Sequence, residues 1–510
     1  MKENIRKIMG WRPGKKLVAA GAIMFSLLLL VPLYRILPYT APWYDDYNFG
    51  GFVKSFLNEE RSLSSALQGA WYCIRTQWYA WQGTFGSIFF MCMIPTVWSD
   101  SLYFLGPLFL ITILVLALFL LMGVLCKKVL GADAWTALPL QAFLAVMGVE
   151  FIYTIYSGFY WYNAGMHYVG MHSFMLLLTA AWICLLKGSG KVSMVICFLW
   201  SLLGAVISGG ANFVTALQGI LIGLSLVALG ILLKSRRTFW LMPSLLIYVM
   251  AFSINVSAPG NQVRKNINVS AGLGMDPVSA IWRSFVEAIR YAWLFCGIIT
   301  ILVLILLAPL IWRMLQTVSF TFRFPGLVLL WSFCLYSTGF TPSLYSLGHA
   351  GLSRTLNVVK ITYQVLLVVN EIYWLGWLKG KLSEGKILKG KLSKKEKGTF
   401  QGARWWFYPL IGVLMLGAFF LEKQPFANYA SYATYHFVHT GEAYNFYHEY
   451  LDRMEVIKDG GEDVVVTPYL YSPGVIMPYE LSSDPQDEAN RAIASWYGKN
   501  SVTCVAPREQ

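Results

Sequence analysis

Runs of about twenty apolar residues recur along this chain, separated by short polar stretches. A helix needs roughly 20 apolar residues to cross about 30 Å of hydrocarbon. In lipid the backbone must satisfy its own hydrogen bonds, which restricts spanning segments to helices and closed barrels. Runs of this length therefore imply an all-α polytopic membrane protein. They fall at 17–37, 102–125, 136–157, 171–186, 192–208, 213–233, 238–255, 291–311, 324–340, 356–378 and 405–421, so about 11 transmembrane helices are expected. Composition agrees: 13% of the 510 residues are charged, 57% are hydrophobic, and mean hydropathy is +0.55. A soluble chain carries about twice that charged share.

The net charge of +14 could indicate a nucleic-acid partner. The basic residues argue otherwise, because most sit in short loops between apolar runs, as the positive-inside rule requires. If the basic segment 1–16 is cytoplasmic, the inner loops hold Lys127 and Lys128, Lys187 and Lys191, Lys234 with Arg236 and Arg237, Arg313 and Arg323, and the dense basic loop 379–404. The opposite loops 158–170 and 208–212 hold no Lys or Arg. The expected location is a plasma (inner) membrane, with the N-terminus cytoplasmic and the C-terminus outside. The first apolar run follows Lys2, Arg6, Lys7, Arg12, Lys15 and Lys16 without an A-x-A-like cleavage site, so an uncleaved helix is expected rather than a signal peptide.

Three parts make up the expected domain organisation: a basic N-terminus 1–16, a helical membrane domain 17–423 and a C-terminal domain 424–510. Segment 84–98 is apolar but reaches only about 22 Å as a helix. It is read as an interfacial or re-entrant helix within a long outer loop, 38–101. In 424–510 charge rises and long apolar runs stop. A helix is expected over 441–458 and strands near Val464–Val466 and Val502–Ala506. A second helix is expected to begin after an Asp484 cap, with Pro485 in its first position, and to end before Gly498. This gives a small α/β extracytoplasmic domain without a GxGxxG or P-loop motif. The eight cysteines form no CxxC pair, and Cys73, Cys92 and Cys504 leave room for one disulfide at most.

Polar residues are costly in a membrane and mark sites of use. Those on the outer side are the acidic pair Asp45-Asp46 after the first span, Trp81, Glu150, Trp161, Tyr162, His167, Asn212, Asn261 with Arg264 and Lys265, and Arg354 with Lys360. Adjacent carboxylates repel, which raises the pKa of at least one, and such a carboxylate can take a proton from a hydroxyl. The pair could instead hold Mg2+ or Mn2+, or be an ordinary acidic turn. Arg264 and Arg354 suit phosphate through their planar forks and read equally as headgroup contacts, whereas Lys265 and Lys360, the other phosphate candidates, read better as headgroup-contacting or snorkelling charges. Trp81, Trp161 and Tyr162 could stack on sugar rings or belong to the interfacial aromatic belt. His167 and His172 are spaced i, i+5 without a third ligand, a poor metal site. Asn212 and Asn261 are better placed to satisfy loop backbone than to bind ligand.

A cytoplasmic N-terminus, a long first outer loop opening on Asp-Asp, about eleven spans and an outer C-terminal domain together resemble the GT-C superfamily of membrane glycosyltransferases. Short pieces are also similar to an uncharacterised bacterial multi-pass membrane family that resembles serotype-type glucosyltransferases: Tyr44-Asp45-Asp46-Tyr47, Trp81-Gln82-Gly83, Tyr160-Trp161-Tyr162, Ala258-Pro259-Gly260-Asn261 with Arg264, Ser353-Arg354-Thr355-Leu356-Asn357 and Gly441-Glu442-Ala443. Leu352 interrupts the fuller glycine-rich segment expected before Arg354. The resemblance implies a GT-C-like fold, a polyprenyl-phosphate sugar donor, a glycan or lipid-linked acceptor, and a catalytic carboxylate at Asp45 or Asp46 that deprotonates the acceptor hydroxyl. Three other readings compete: a transporter or flippase of lipid-linked or polar substrates, a non-catalytic membrane scaffold presenting the C-terminal domain, and a polymerase or ligase of surface polysaccharide.

Overall fold

A computed structural model describes residues 12–188, 190–388, 407–421 and 429–505. Most of the N-terminal basic segment, most of the basic loop 379–404, residues 424–428 and the end of the last expected strand lie outside these residues. Among the described residues, eight helices are long and apolar enough to cross a bilayer: Lys15–Tyr39, Asp100–Val129, Tyr162–Lys187, Lys191–Gly209, Phe213–Leu232, Ile298–Leu315, Pro325–Leu347 and Ser353–Ser383. Met242–Ser257 and Pro259–Ser270, bent by 48° at their junction, make nine if taken together. Ala134–Glu150 and Phe407–Leu421 are shorter apolar helices of 17 and 15 residues. The chain is an all-α multi-pass membrane protein. Polar caps start several of its helices: Asp133 accepts from the Trp135 and Thr136 amides, and Asn212 from the Thr215 amide.

Two of the expected spans are interrupted. The span expected over 136–157 stops at Glu150, and the chain is irregular through Thr154. Amides from the Ser353–Leu388 helix replace the missing helical partners. Asn357 accepts from the Thr154 amide at 2.7 Å and donates to the Thr154 carbonyl at 3.1 Å, and Gln364 donates to the Phe151 carbonyl at 3.2 Å. Irregular backbone is tolerated at this depth only where protein satisfies it. The span expected over 291–311 divides at Cys296 and Gly297. An amphipathic helix, Pro277–Phe295, precedes the crossing helix Ile298–Leu315.

The basic loops converge on one end of the bundle. Lys15 pairs with Asp133 at 2.8 Å, Arg313 donates to the Pro13 carbonyl at 2.8 Å, Arg237 to that of Lys187, and Lys379 to that of Leu315. The opposite end carries helices Asp45–Glu59 and Leu63–Ala80 and the eight-residue helix Phe85–Cys92, which is too short to span.

On that second end sits the C-terminal segment. Helices Ala430–His439, Glu442–Asp459 and Glu488–Tyr497 surround two parallel strands, Asp463–Val466 and Ser501–Cys504, in which Val464 pairs with Val502. The last helix starts later than expected. Asp487, not Asp484, caps it by accepting from the Ala489 amide at 2.9 Å, while Asp484 closes a turn onto the Gln486 amide at 2.8 Å. Gly498 ends the helix at φ +66°, where a side chain would be strained. All eight cysteines are free.

The segment is firmly seated. Lys54 donates to the Trp496 carbonyl at 2.9 Å, Tyr47 meets the Tyr450 hydroxyl at 3.3 Å, and Lys458 pairs with Asp100 at 2.9 Å. Glu150 accepts from the Ser431 amide and hydroxyl at 3.1 and 2.6 Å. Inside the segment, Arg453 forks onto both Glu480 oxygens at 2.6 and 3.0 Å and lies 3.4 Å from the Tyr469 ring centre. Removing one partner of a buried pair strands the other charge, at a cost of about 3–5 kcal/mol. Arg453→Ala is therefore expected to make residues 429–505 the first part of the purified protein cut in limited proteolysis, at a temperature well below the wild-type threshold. An unchanged digestion pattern would show the pair to be incidental.

Candidate functional site

The Asp45–Glu59 helix begins with two carboxylates in its first turn, where the helix dipole favours them. Adjacent residues point about 100° apart on a helix, and here that separates their roles. Asp46 is 1% exposed. Its Oδ2 accepts from the Trp43 amide at 2.9 Å and the Tyr103 hydroxyl at 2.7 Å, and its Oδ1 from the Asn163 amide and side chain at 2.8 and 3.0 Å. Asp45 is only half-buried and faces a cavity of about 1040 Å³. Burial raises the Asp45 carboxyl from its ordinary 3.8 to about 6; the Arg354 guanidinium draws it back down and the Glu488 charge adds to the rise. The preceding residue, Tyr44, adopts φ 33°, a positive-φ conformation that costs a non-glycine residue about 1–3 kcal/mol. Its hydroxyl donates to Glu488 Oε2, and burial pushes its phenol well above the usual tyrosine range.

Two motif pieces form one joint beside the cavity. Ala258 is extended before Pro259, which starts the bent second helix. A Cβ on Gly260 would lie 2.5 Å from the Trp81 nitrogen, and one on Gly83 would lie 2.0 Å from the Asn255 oxygen, so only glycine lets these segments approach. Asn261 closes the joint by accepting from the Gly83 amide at 3.1 Å and donating to the Asn255 carbonyl at 2.7 Å. Arg264, one turn on, donates to Gln82 Oε1 at 3.1 Å and lies 5.8 Å from the Trp81 ring centre. Across the cavity Arg354 lies 5.5 Å from the Trp161 ring centre. Arginines held against indole faces keep their forks oriented.

The cavity thus gathers Asp45, Trp81, Trp161, His167, Arg264 and Arg354. The other expected residues lie outside it. Glu150 anchors Ser431, Tyr162 donates to the Phe90 carbonyl at 2.9 Å, and Asn212 caps its helix and donates to the His167 carbonyl at 2.6 Å. Asn261 is committed to its joint. Lys265 lies 5.2 Å from the Tyr345 ring centre and Lys360 lies 5.4 Å from that of Phe295. Asp46 serves the scaffold beneath Asp45.

A divalent ion chelated by Asp45 and Asp46 does not fit, because protein donors occupy both Asp46 oxygens. Among the described residues no group of three or more His, Cys, Asp or Glu side chains could hold a metal ion.

The sequence reading missed the C-terminal wall. Glu488, Arg491, Ala492 and Ser495 present one face of the last helix to the cavity, with Tyr479 beside them. Their 3- and 4-residue spacing was readable as one helix face, but nothing local tied that face to Asp45. Tyr168 and Asn268 were missed as well. Three buried polar atoms of lining residues, Trp161 Nε1, Asn163 Oδ1 and His167 Nδ1, have no protein partner among the described residues. Compared with protein-family models, curated proteins and solved structures, the chain matches none.

The geometry divides the acidic pair by effect. At pH 8, Asp46→Asn would turn an amide N–H toward groups that are themselves donors and destabilise the protein by about 2–4 kcal/mol. Asp45→Asn would cost no stability at that pH, because it removes a charge that burial disfavours. Thermal unfolding of both variants in detergent checks this, and equal losses would refute the division.

Proposed function

We propose that the protein is a membrane glycosyltransferase that moves a sugar from a polyprenyl-phosphate donor to a hydroxyl of a cell-surface glycan or lipid-linked acceptor. The observation carrying this reading is that one half-buried carboxylate, Asp45, shares a cavity with two tryptophan-backed arginines, Arg264 and Arg354. The cavity's size suits two polar substrates, since ligand sites commonly enclose about 300–1,000 Å³. Its unpartnered indole, amide and imidazole atoms suit a hydroxyl-rich ligand.

In the proposed reaction the acceptor oxygen attacks the anomeric carbon while Asp45 takes the hydroxyl proton. The carbon–oxygen bond to phosphate breaks, and polyprenyl phosphate leaves with the bonding electrons. Arg354 and Arg264 stabilise the charge developing on that phosphate. A single displacement inverts the anomeric centre. The accompanying topology has eleven crossings, counting Ala134–Glu150 and Phe407–Leu421, with the basic end cytoplasmic and the cavity and C-terminal domain outside a bacterial plasma membrane. Outside the cell nucleotide sugars are absent, which favours a lipid-linked donor.

A second reading, transport of a lipid-linked or polar substrate, draws on a buried polar cluster further along two of the same helices. His172 Nε2 meets the Thr362 hydroxyl at 3.3 Å, and that hydroxyl also lies 3.0 Å from Gln218 Oε1.

Membranes supplied with radiolabelled polyprenyl-phosphate sugars separate the readings. Transfer of label to glycan is expected in the wild type. Asp45→Asn should lower it by about 10²–10⁴-fold, and Arg354→Ala by about 10–10³-fold. Full transfer by Asp45→Asn would refute the mechanism, and label that crosses the membrane without being transferred would favour transport.

A pH profile adds an independent check. The base works ionised and its carboxyl is raised from 3.8 to about 6, so activity should fall as pH drops through about 6. Activity still full at pH 4.5 would exclude Asp45 as that base.

A further inference from the structure

The C-terminal domain reaches the cavity through one short helix and Tyr479, and the contact the helix makes there is specific. Glu488 opens that helix, lines the cavity and accepts the Tyr44 hydroxyl hydrogen bond. Tyr44 is the residue immediately before Asp45 and has a positive φ. Around the same spot, Tyr47 packs edge-on to Trp496 with ring centres 5.5 Å apart, and Trp43 packs edge-on to Tyr479 at 5.3 Å. Residues 43, 44 and 47 therefore each touch the C-terminal domain, while Asp45 between them is left facing the cavity. A tyrosine at φ 33° persists only where its surroundings over-determine it. Here the phenol is tied at its far end by a carboxylate more than four hundred residues away in the chain.

We infer that Glu488 is a positioning residue for Asp45: it holds the Tyr44 phenol across the cavity mouth and sets the charge that the neighbouring carboxylate faces. This rests on the reading of Asp45 as the working base. It makes the C-terminal domain part of the site rather than a separate module carried by the membrane helices.

The groups that face Asp45 come from several elements. Asp46 is on its own helix, and Arg354, Arg264, His167, Tyr479, Arg491 and Glu488 line the cavity from the others. Of these, Arg354 favours the ionised Asp45, whereas Glu488 opposes it. The sign of the effect follows. A like charge disfavours ionisation, so losing the Glu488 charge lets Asp45 ionise at lower pH.

The test needs no substrate. The full-length protein in detergent is labelled across pH 4.5–8 with a water-soluble carbodiimide and glycine ethyl ester. Modification of Asp45 is quantified by mass spectrometry against the exposed Asp452 of the same sample. The wild-type midpoint is expected near pH 6. Glu488→Gln keeps an oxygen that accepts the Tyr44 hydroxyl but loses the charge, and should lower the midpoint by roughly half a pH unit. Glu488 is exposed, so this change leaves packing intact. Glu488→Asp retains the charge and should keep the wild-type midpoint. The same midpoint in Glu488→Gln and wild type would overturn the inference, since a residue that only stabilised the domain would not move it. Absence of sugar transfer by the wild type would instead count against the enzymatic reading, so the two failures are distinguishable. Where transfer is measured, Tyr44→Phe should lower kcat without shifting the acid limb, while Glu488→Gln shifts that limb to lower pH. The reverse pattern would also overturn the inference.

Discussion

The buried Asp46 carboxylate is the joint on which this end of the molecule depends. Its two oxygens accept four hydrogen bonds from three separate stretches: Trp43 just before its helix, Tyr103 at the start of the next long span, and Asn163 in the turn after Trp161. Tyr103 extends the joint, lying 2.8 Å from the Tyr160 carbonyl oxygen and accepting from the Tyr162 amide at 3.2 Å. A fully satisfied buried carboxylate fixes geometry tightly, because every competing arrangement leaves a donor or a charge unpaired. The same contacts that bury Asp46 orient the first turn of its helix, and so decide that Asp45 opens onto the cavity.

The arginines are positioned by a different device. Gly83, Gly260 and Asn261 lock the turn after Leu63–Ala80 against the bend after Met242–Ser257, and Arg264 follows from that bend. On the far side, Asn357 satisfies the broken backbone at Thr154 and thereby fixes the start of the helix that carries Arg354. Both arginines are thus attached to joints in which an asparagine or a glycine does the structural work. Their guanidinium groups remain available toward the cavity, each backed by an indole ring.

How far the fold could be read from the sequence follows from the same physics. The crossing helices were legible because length and hydropathy alone select them, and the gathering of basic loops at one end followed from charge. Helix ends were less legible. Nothing near Glu150 announces that Asn357 and Gln364, some two hundred residues on, would take over the partners of a broken helix. Within the site, Asp45 and Asp46 were indistinguishable as neighbours, because which one is buried depends on Tyr103 and Asn163. Arg264, Arg354, Trp81, Trp161 and His167 were found because polar and aromatic residues at the mouths of spans stand out. Glu150, Asn212 and Asn261 stood out for the same reason, yet their polarity is spent on anchoring a chain segment, capping a helix and closing a joint. Glu488 was invisible, since its relation to Asp45 exists only after both ends of the chain have folded.

That last relation also explains why a strained residue can precede Asp45. Tyr44 would relax if its side chain were free, and relaxation would turn the start of the Asp45–Glu59 helix. Asp46 resists that turn from beneath, through its bonds to Trp43, Tyr103 and Asn163, and Glu488 from above, through its bond to Tyr44. The carboxylate between these two anchors needs few bonds of its own to be held in place. It can stay poised between Arg354 and Glu488, charges of opposite sign, with its oxygens left for a ligand.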